Sequence, residues 1–143
     1  MADTVSAIPY GTAAQGQGLF GTGPTAAVWA YSPWDTSTVT AAAGVPAGTT
    51  PPTPVVAASS TIARGSLTCG TGTNASTGVL VSVTFGSTLP STPVVNIAPT
   101  TLALASLAPA VTATSTTGFS VSSTAPGSSQ GNTVYGLSWQ MML

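Results

Sequence analysis

The sequence has almost no ionisable side chains. Of its 143 residues 2% are charged, namely Asp3, Asp35 and Arg64, and it contains no His, Glu or Lys. Typical soluble domains are about 25% charged. General acid–base catalysis needs a side chain with a tunable pKa, and a Ser or Thr nucleophile needs a neighbouring base. The composition therefore predicts that the protein is not an enzyme.

The same shortage argues against metal, cofactor and nucleic-acid sites. Two aspartates and the single Cys69 do not make up any usual set of metal ligands, so we expect no metal and no cofactor. One arginine cannot neutralise a phosphate backbone, which predicts no nucleic-acid partner. Cys69 cannot form an internal disulfide, and we expect it to be a small buried apolar residue.

Long apolar runs are also missing. No stretch approaches the roughly 18–20 consecutive apolar residues of a membrane-spanning helix, so no membrane association is expected. The N-terminus, MADTVSAIPYGTAAQGQ, lacks the basic and apolar regions of a signal peptide. We therefore expect no signal peptide.

The residues that are abundant are those of β-proteins. The chain is 43% hydrophobic, its polar residues are mostly Thr and Ser, and 16 Gly and 12 Pro interrupt it. Thr and Val favour strands, whereas Gly and Pro favour turns. Strong helix formers other than Ala are nearly absent. The composition predicts an all-β fold.

Two regions differ in pattern. Residues 1–56 show no sustained period, and they predict an extended, irregular N-terminal arm that ends in a Pro-rich connector at 44–54, extended over about 35 Å. No periodic face accounts for the aromatic residues of this arm, so we interpret them as anchors that dock on a partner protein. They are Tyr10, Phe20, Trp29, Tyr31 and Trp34.

Residues 57–143 alternate between apolar and polar side chains over six short segments separated by turn residues. This pattern predicts a small antiparallel β-sandwich of about six strands. Residues 102–107 are apolar but fit either a strand or a helical turn. The aromatic residues here are in phase with their strands, which favours core packing over a sugar-stacking surface. The predicted core is Val81, Val83, Phe85, Phe119, Val121, Tyr135, Leu137 and Trp139.

Four segments of this half resemble the H-type lectin-like β-sandwich, which is found in snail agglutinins and in bacteriophage surface proteins. In chain order they are Val81–Phe85, Leu89–Val95, Thr116–Val121 and Tyr135–Gln140. The resemblance covers about residues 60–143 and implies a unit that forms a homotrimer. No sugar-contacting residue of the lectins matches this sequence, so the resemblance does not imply glycan binding.

The richness in Ala, Thr, Ser, Gly and Pro is similar to that of capsid decoration and head-fibre proteins of tailed phages. This similarity implies a virion structural protein on the outer surface of the capsid, docked on the major capsid protein through the arm. A tail-fibre or tail-tip knob that binds a receptor or a cell-surface glycan is the alternative. A secreted carbohydrate-binding module is a third hypothesis, and the expected lack of a signal peptide weakens it.

Overall fold

The fold is an antiparallel β-sandwich. The computed structural model describes residues 17–21, 27–31, 38–124 and 133–142, and for the first two ranges it describes the backbone. Within these residues, eight strands form two four-stranded sheets. The predicted all-β fold class is therefore confirmed.

The first sheet has the strand order β4-β5-β10-β7. Its strands are β4 (Val55–Val56), β5 (Arg64–Gly70), β10 (Val134–Met142) and β7 (Val94–Pro99), and all pairs are antiparallel. The nine-residue β10 is the central element, since it pairs with β5 on one side and with β7 on the other.

The second sheet has the order β3-β6-β9-β8. Its strands are β3 (Val39–Ala43), β6 (Gly78–Phe85), β9 (Gly118–Ser123) and β8 (Ala110–Ser115). The pairing of β6 with β9 shifts register between Val79 and Val81. This bulge turns both Leu80 and Val81 into the core, whereas strict alternation along β6 predicts Val79 inside and Leu80 outside.

The hydrophobic core lies between the two sheets. All eight side chains that alternation places in the core are buried, with at most 5% of any of them exposed. Cys69 is buried among them, 2% exposed, as expected for a small apolar residue. The core continues beyond the strands through Ile62, Leu89, Leu104 and Leu107.

The ambiguous segment at 102–107 is a single helical turn, α1 (Leu102–Ala105). The Thr101 side chain caps it by accepting a hydrogen bond from the Leu104 backbone N–H at 3.3 Å. Leu104 is fully buried while Leu102 is 90% exposed. The turn thus adds one apolar side chain, that of Leu104, to the core.

Residues 38–56 are part of the sandwich, although the sequence pattern assigns them to the arm. Strand β3 pairs with β6 over five residues, and β4 pairs with β5. Between them the Pro-rich segment is not an extended spacer. It forms a 3-10 helix at Val45–Ala47 and a bridge from Thr49 to Thr73, and Ala47 is fully buried. The sequence VTAAA of β3 has too little contrast between its two faces to be recognised as a strand.

Two further strands precede the sandwich. β1 (Gln17–Gly21) and β2 (Ala27–Tyr31) form an antiparallel hairpin in which Leu19 is paired with Trp29. Part of the predicted irregular arm is therefore regular β-structure. The sequence pattern does not reveal it, because strands pair through backbone hydrogen bonds, which require no alternation of apolar residues.

Candidate binding groove on the β5-β10-β7 face

The structure places three of the five proposed docking residues on the hairpin. Phe20 lies in β1, and Trp29 and Tyr31 lie in β2, where Gln17 is paired with Tyr31. Tyr10 and Trp34 lie outside the described residues. The role of all five in docking stays a prediction.

The aromatic residues of the sandwich form internal contacts. The ring centroids of Phe85 and Phe119 lie 6.0 Å apart, as do those of Phe119 and Trp139, within the range of favourable aromatic pairs. The Trp139 indole N–H donates to the Ile62 carbonyl at 3.2 Å. The buried Tyr135 hydroxyl lies 3.3 Å from the Thr71 hydroxyl. Their polar atoms are thus used inside the fold, and their faces offer no exposed platform to a sugar.

The outer face of the first sheet contains an open groove of about 590 Å³. It crosses β5, β10 and β7, and residue 59, in the loop before β5, closes one side. The side chains that line it are mostly hydroxyls and amides, together with the guanidinium of Arg64. The polar lining residues are Ser59, Arg64, Ser66, Asn96, Ser138 and Gln140.

The strand register arranges these residues in two rows. In the first row Gln140 is paired with Arg64 on one side and with Asn96 on the other. In the second row Ser138 is paired with Ser66 and with Ala98. Neighbouring strands lie about 4.8 Å apart, so each row spans about 10 Å. Outward-facing residues two positions apart place the rows about 7 Å from each other.

The backbone explains why Arg64 projects into the groove. A Cβ added to the next residue, Gly65, would lie 2.3 Å from the buried Trp139 indole, so position 65 faces the core. Because successive side chains of a strand point to opposite faces, Arg64 faces outward. The lack of a side chain at Gly65 also leaves the room that the indole occupies.

The outer face of the second sheet has a different chemistry. Its exposed and half-buried positions are Ser, Thr and Ala, and several hydroxyls are paired with one another. Ser82 and Ser120 lie 3.0 Å apart, and Thr112 and Ser122 lie 2.8 Å apart. The strands that form this face carry no ionisable side chain, and a shallow depression on it, of about 230 Å³, is lined mainly by Ser and Thr.

The described residues contain no cluster of three or more His, Cys, Asp or Glu side chains that could hold a metal ion. Burial raises the pKa of the Cys69 thiol from 9.0 to about 11. The thiol is therefore neutral at physiological pH, and a neutral thiol is a poor nucleophile. In the same part of the chain, no helix has the length and apolar character to cross a membrane.

Sequence reasoning did not identify the groove. Arg64 stood out as the single cation, but nothing in the order of residues brings it next to Asn96 or Gln140. The groove could have been predicted from the polar residues at the solvent-facing positions of β5 and β10, if the pairing of these two strands had been known. Comparison of the chain with protein-family models, with curated proteins and with solved structures gives no significant match.

Proposed function

We propose that the chain is a non-catalytic structural protein of a bacteriophage virion, most simply a homotrimeric decoration protein on the outer surface of the capsid. In this proposal the major capsid protein is the docking partner, and the N-terminal residues make the attachment. The sandwich, which starts at residue 38, stands outward. The resemblance of residues 60–143 to phage surface sandwiches is one support for this proposal.

The observation that carries the proposal is the near-absence of charge from the sandwich. Arg64 is the one formally charged side chain between residues 38 and 124 and between 133 and 142. Isolated soluble proteins keep apart largely through net charge and charged surfaces. A protein that works inside a permanent assembly does not need this protection.

The edge strand β8 supports the same conclusion. Five of its six residues are exposed and the sixth, Val111, is half-buried. The strand has no Lys, no other charge and no proline, which are the usual devices that stop edge-to-edge pairing. We infer that neighbouring subunits of the assembly cover this edge.

The segment before residue 38 is the proposed attachment element. It holds the five aromatic residues that no periodic face of the sequence accounts for, and Trp and Tyr are among the residues that most often anchor interfaces. Its only charged side chains are the two aspartates, so at most a few ion pairs can contribute to the contact. Attachment should therefore resist high salt, because salt screens mainly exposed charges.

Photo-crosslinking in the native particle tests the proposal. The photoreactive amino acid p-benzoylphenylalanine replaces Trp29 or Trp34, and mass spectrometry identifies the crosslinked polypeptide after irradiation. Thr114, exposed on β8, is the matched control position, where we expect crosslinks to another copy of this chain.

A crosslink from position 29 or 34 to the capsid-shell protein would support decoration. A crosslink to a tail protein would contradict capsid decoration and support a location in the tail. If the chain did not purify with particles at all, the virion proposal would be wrong.

The groove favours a second candidate function, that of a receptor-binding knob on a tail fibre or tail tip. A capsid decoration protein with only a structural role has no need for an open groove that holds its single arginine. The two candidates differ in the attachment partner, which the crosslinking experiment identifies.

A further inference from the structure

We propose that the free edge of strand β8 pairs with the same edge of a second copy of the chain. The two strands would run antiparallel about a twofold axis at Thr114, and would join the β3-β6-β9-β8 sheets of the two copies into one continuous sheet. The proposal rests on the proposed function in one respect, the inference that neighbouring subunits cover this edge. It names the element of the neighbour that does so.

The backbone of β8 is open on one side. The strand lies at the end of the order β3-β6-β9-β8 and pairs with β9 alone. Among the described residues, no further backbone–backbone hydrogen bond involves residues 110–115, and five of the six side chains are exposed. A strand edge with these properties is a template on which another strand can pair.

The other three edges of the sandwich are less suited to such pairing. Strand β4 has only two residues, and β7 follows Pro93 and ends at Pro99. Prolines at an edge strand limit further pairing. Strand β3 has five residues, but the proposed attachment segment leads directly into it. The β8 edge is therefore the one that two copies can offer each other without obstruction.

Charge favours a second copy over a partner with a charged surface. The strands of the β3-β6-β9-β8 sheet carry no ionisable side chain. Two copies can therefore approach through β8 without the repulsion that like charges on opposite strands cause. A charged partner would lose hydration of its charges at this edge and would find no opposite charge on these strands to compensate.

The register of the pair follows from a bulge in β8. The pairing with β9 shifts between Val111 and Ala113, and such a bulge bends an edge and limits further pairing there. The regular part of the strand is therefore its second half, Ala113–Ser115. A twofold axis at the centre of this half places Thr114 opposite the partner's Thr114. Pairs of Thr on opposite strands are favourable.

The contact should be weak in solution. Two strands this short bury less than the roughly 1,200 Å² of total accessible surface that stable complexes bury. Copies anchored side by side on a particle are at a high effective concentration, which favours a weak contact. A pair of identical edges has twofold symmetry and cannot close a threefold ring. In the proposed assembly it would link one trimer to the next.

The test traps the pair as a disulfide in the purified full chain. The variant Thr114→Cys places a thiol at the proposed axis, whereas the native Cys69 is buried and should not react. Thr40→Cys, exposed on the opposite edge strand β3, is the matched control. Each protein is oxidised mildly at about 0.5 mM, a concentration suited to weak contacts. Electrophoresis without reductant then measures the yield of linked dimer.

We expect Thr114→Cys to give at least about tenfold more linked dimer than Thr40→Cys, because directly opposite Cβ atoms of paired strands lie about 5 Å apart. A mixture of Ala113→Cys and Ser115→Cys should form the mixed disulfide, since the axis places these two positions opposite each other. Thr114→Lys should lower association about tenfold in sedimentation experiments, because it sets two like charges against each other.

Equal yields of dimer at positions 114 and 40 would overturn the proposal. Unchanged association of Thr114→Lys, or a parent chain that does not associate at about 0.5 mM, would do the same. A disulfide between Thr114→Cys and Thr40→Cys in a mixture of the two would show pairing of β8 with β3 and would exclude the twofold contact. Because the assay uses the isolated chain, none of these results bears on attachment to a particle.

Discussion

At the scale of single residues, Trp139 connects the two sheets. It lies in β10, contacts Phe119 of the opposite sheet with ring centroids 6.0 Å apart, and is 2% exposed. Its indole N–H satisfies the Ile62 carbonyl in the loop before β5. One side chain therefore joins the central strand of one sheet, a strand of the other sheet and a loop.

Replacing Trp139 by Ala should lower the free energy of unfolding by about 3–5 kcal/mol, the usual cost of deleting a large buried aromatic side chain. Urea denaturation followed by circular dichroism measures the change. Gln140→Ala is the matched control, because Gln140 is the next residue in the strand and its side chain faces solvent. This variant should change the free energy of unfolding by less than about 0.5 kcal/mol. A loss below about 1 kcal/mol for Trp139→Ala would contradict its place in the core.

Cys69 should make the stability depend on pH in alkaline solution. Burial raises the pKa of its thiol from 9.0 to about 11. Between these values the unfolded thiol loses its proton while the folded one keeps it, so stability is full below pH 9 and falls as pH rises towards 11. The fall should be about 2–3 kcal/mol, from about two pKa units.

Urea denaturation at about pH 8, 9, 10 and 11, a series that covers the interval between the two pKa values, measures this dependence. Cys69→Ala is the control, since it retains every tyrosine and removes the thiol. The difference between the two curves should appear only above pH 9. Parallel curves for the two proteins would show that the thiol does not titrate differently in the folded and unfolded states.

At the scale of elements, the Pro-rich segment depends on Gly48. This glycine has φ +96° and ψ −166°, a region open essentially to glycine alone. A Cβ there would also lie 2.4 Å from the Thr73 carbonyl oxygen, which accepts the Thr49 backbone N–H at 2.8 Å. The glycine thus lets the chain turn from the 3-10 helix onto the loop after β5.

Gly48→Ala should therefore destabilise the sandwich by about 1–3 kcal/mol through backbone strain, measured by thermal or urea unfolding. Val45→Ala, three residues earlier and 93% exposed in the parent, is the matched control and should be nearly neutral. If Gly48→Ala were equally neutral, the segment would not be held against the sandwich.

The six strands with clear alternation were predictable from the sequence, and each of them is a strand in the structure. β3 and β4 were not. In β3 the inward residues after Val39 are Ala41 and Ala43, whose small side chains give no contrast with Ala42. β4 has two residues, too few for a period. Such strands form because β5 and β6 present free edges to them.

At the scale of the whole molecule, the boundary of the folded unit is testable by truncation. Deleting residues 1–37 should leave a sandwich that unfolds cooperatively. Deleting residues 1–56 should lower its stability by about 3 kcal/mol or more, because it removes β3, β4 and the buried Ala47 from the core. Circular dichroism and urea denaturation compare the two truncated proteins. Equal stability would mean that the folded unit begins at residue 57.

The same truncation separates folding from attachment. Without residues 1–37 the sandwich should no longer join the particle, although it still folds. The double variant Trp29→Ala and Trp34→Ala in the full chain should also attach more weakly, with unchanged far-ultraviolet dichroism. Occupancy on purified particles, measured by quantitative mass spectrometry, tests this. Normal occupancy of the truncated chain would make the sandwich itself the docking element.

The sequence alone determined the fold class, the identity of most core residues and the small number of ionisable side chains. Each of these depends on composition or on the period of two within a strand, which are local properties. Only the tertiary structure decided that residues 38–56 complete the sandwich and that Arg64, Asn96 and Gln140 share one groove. These residues come from three strands that are distant in the chain, and the register that brings them together is set by the pairing of those strands and by the core beneath them.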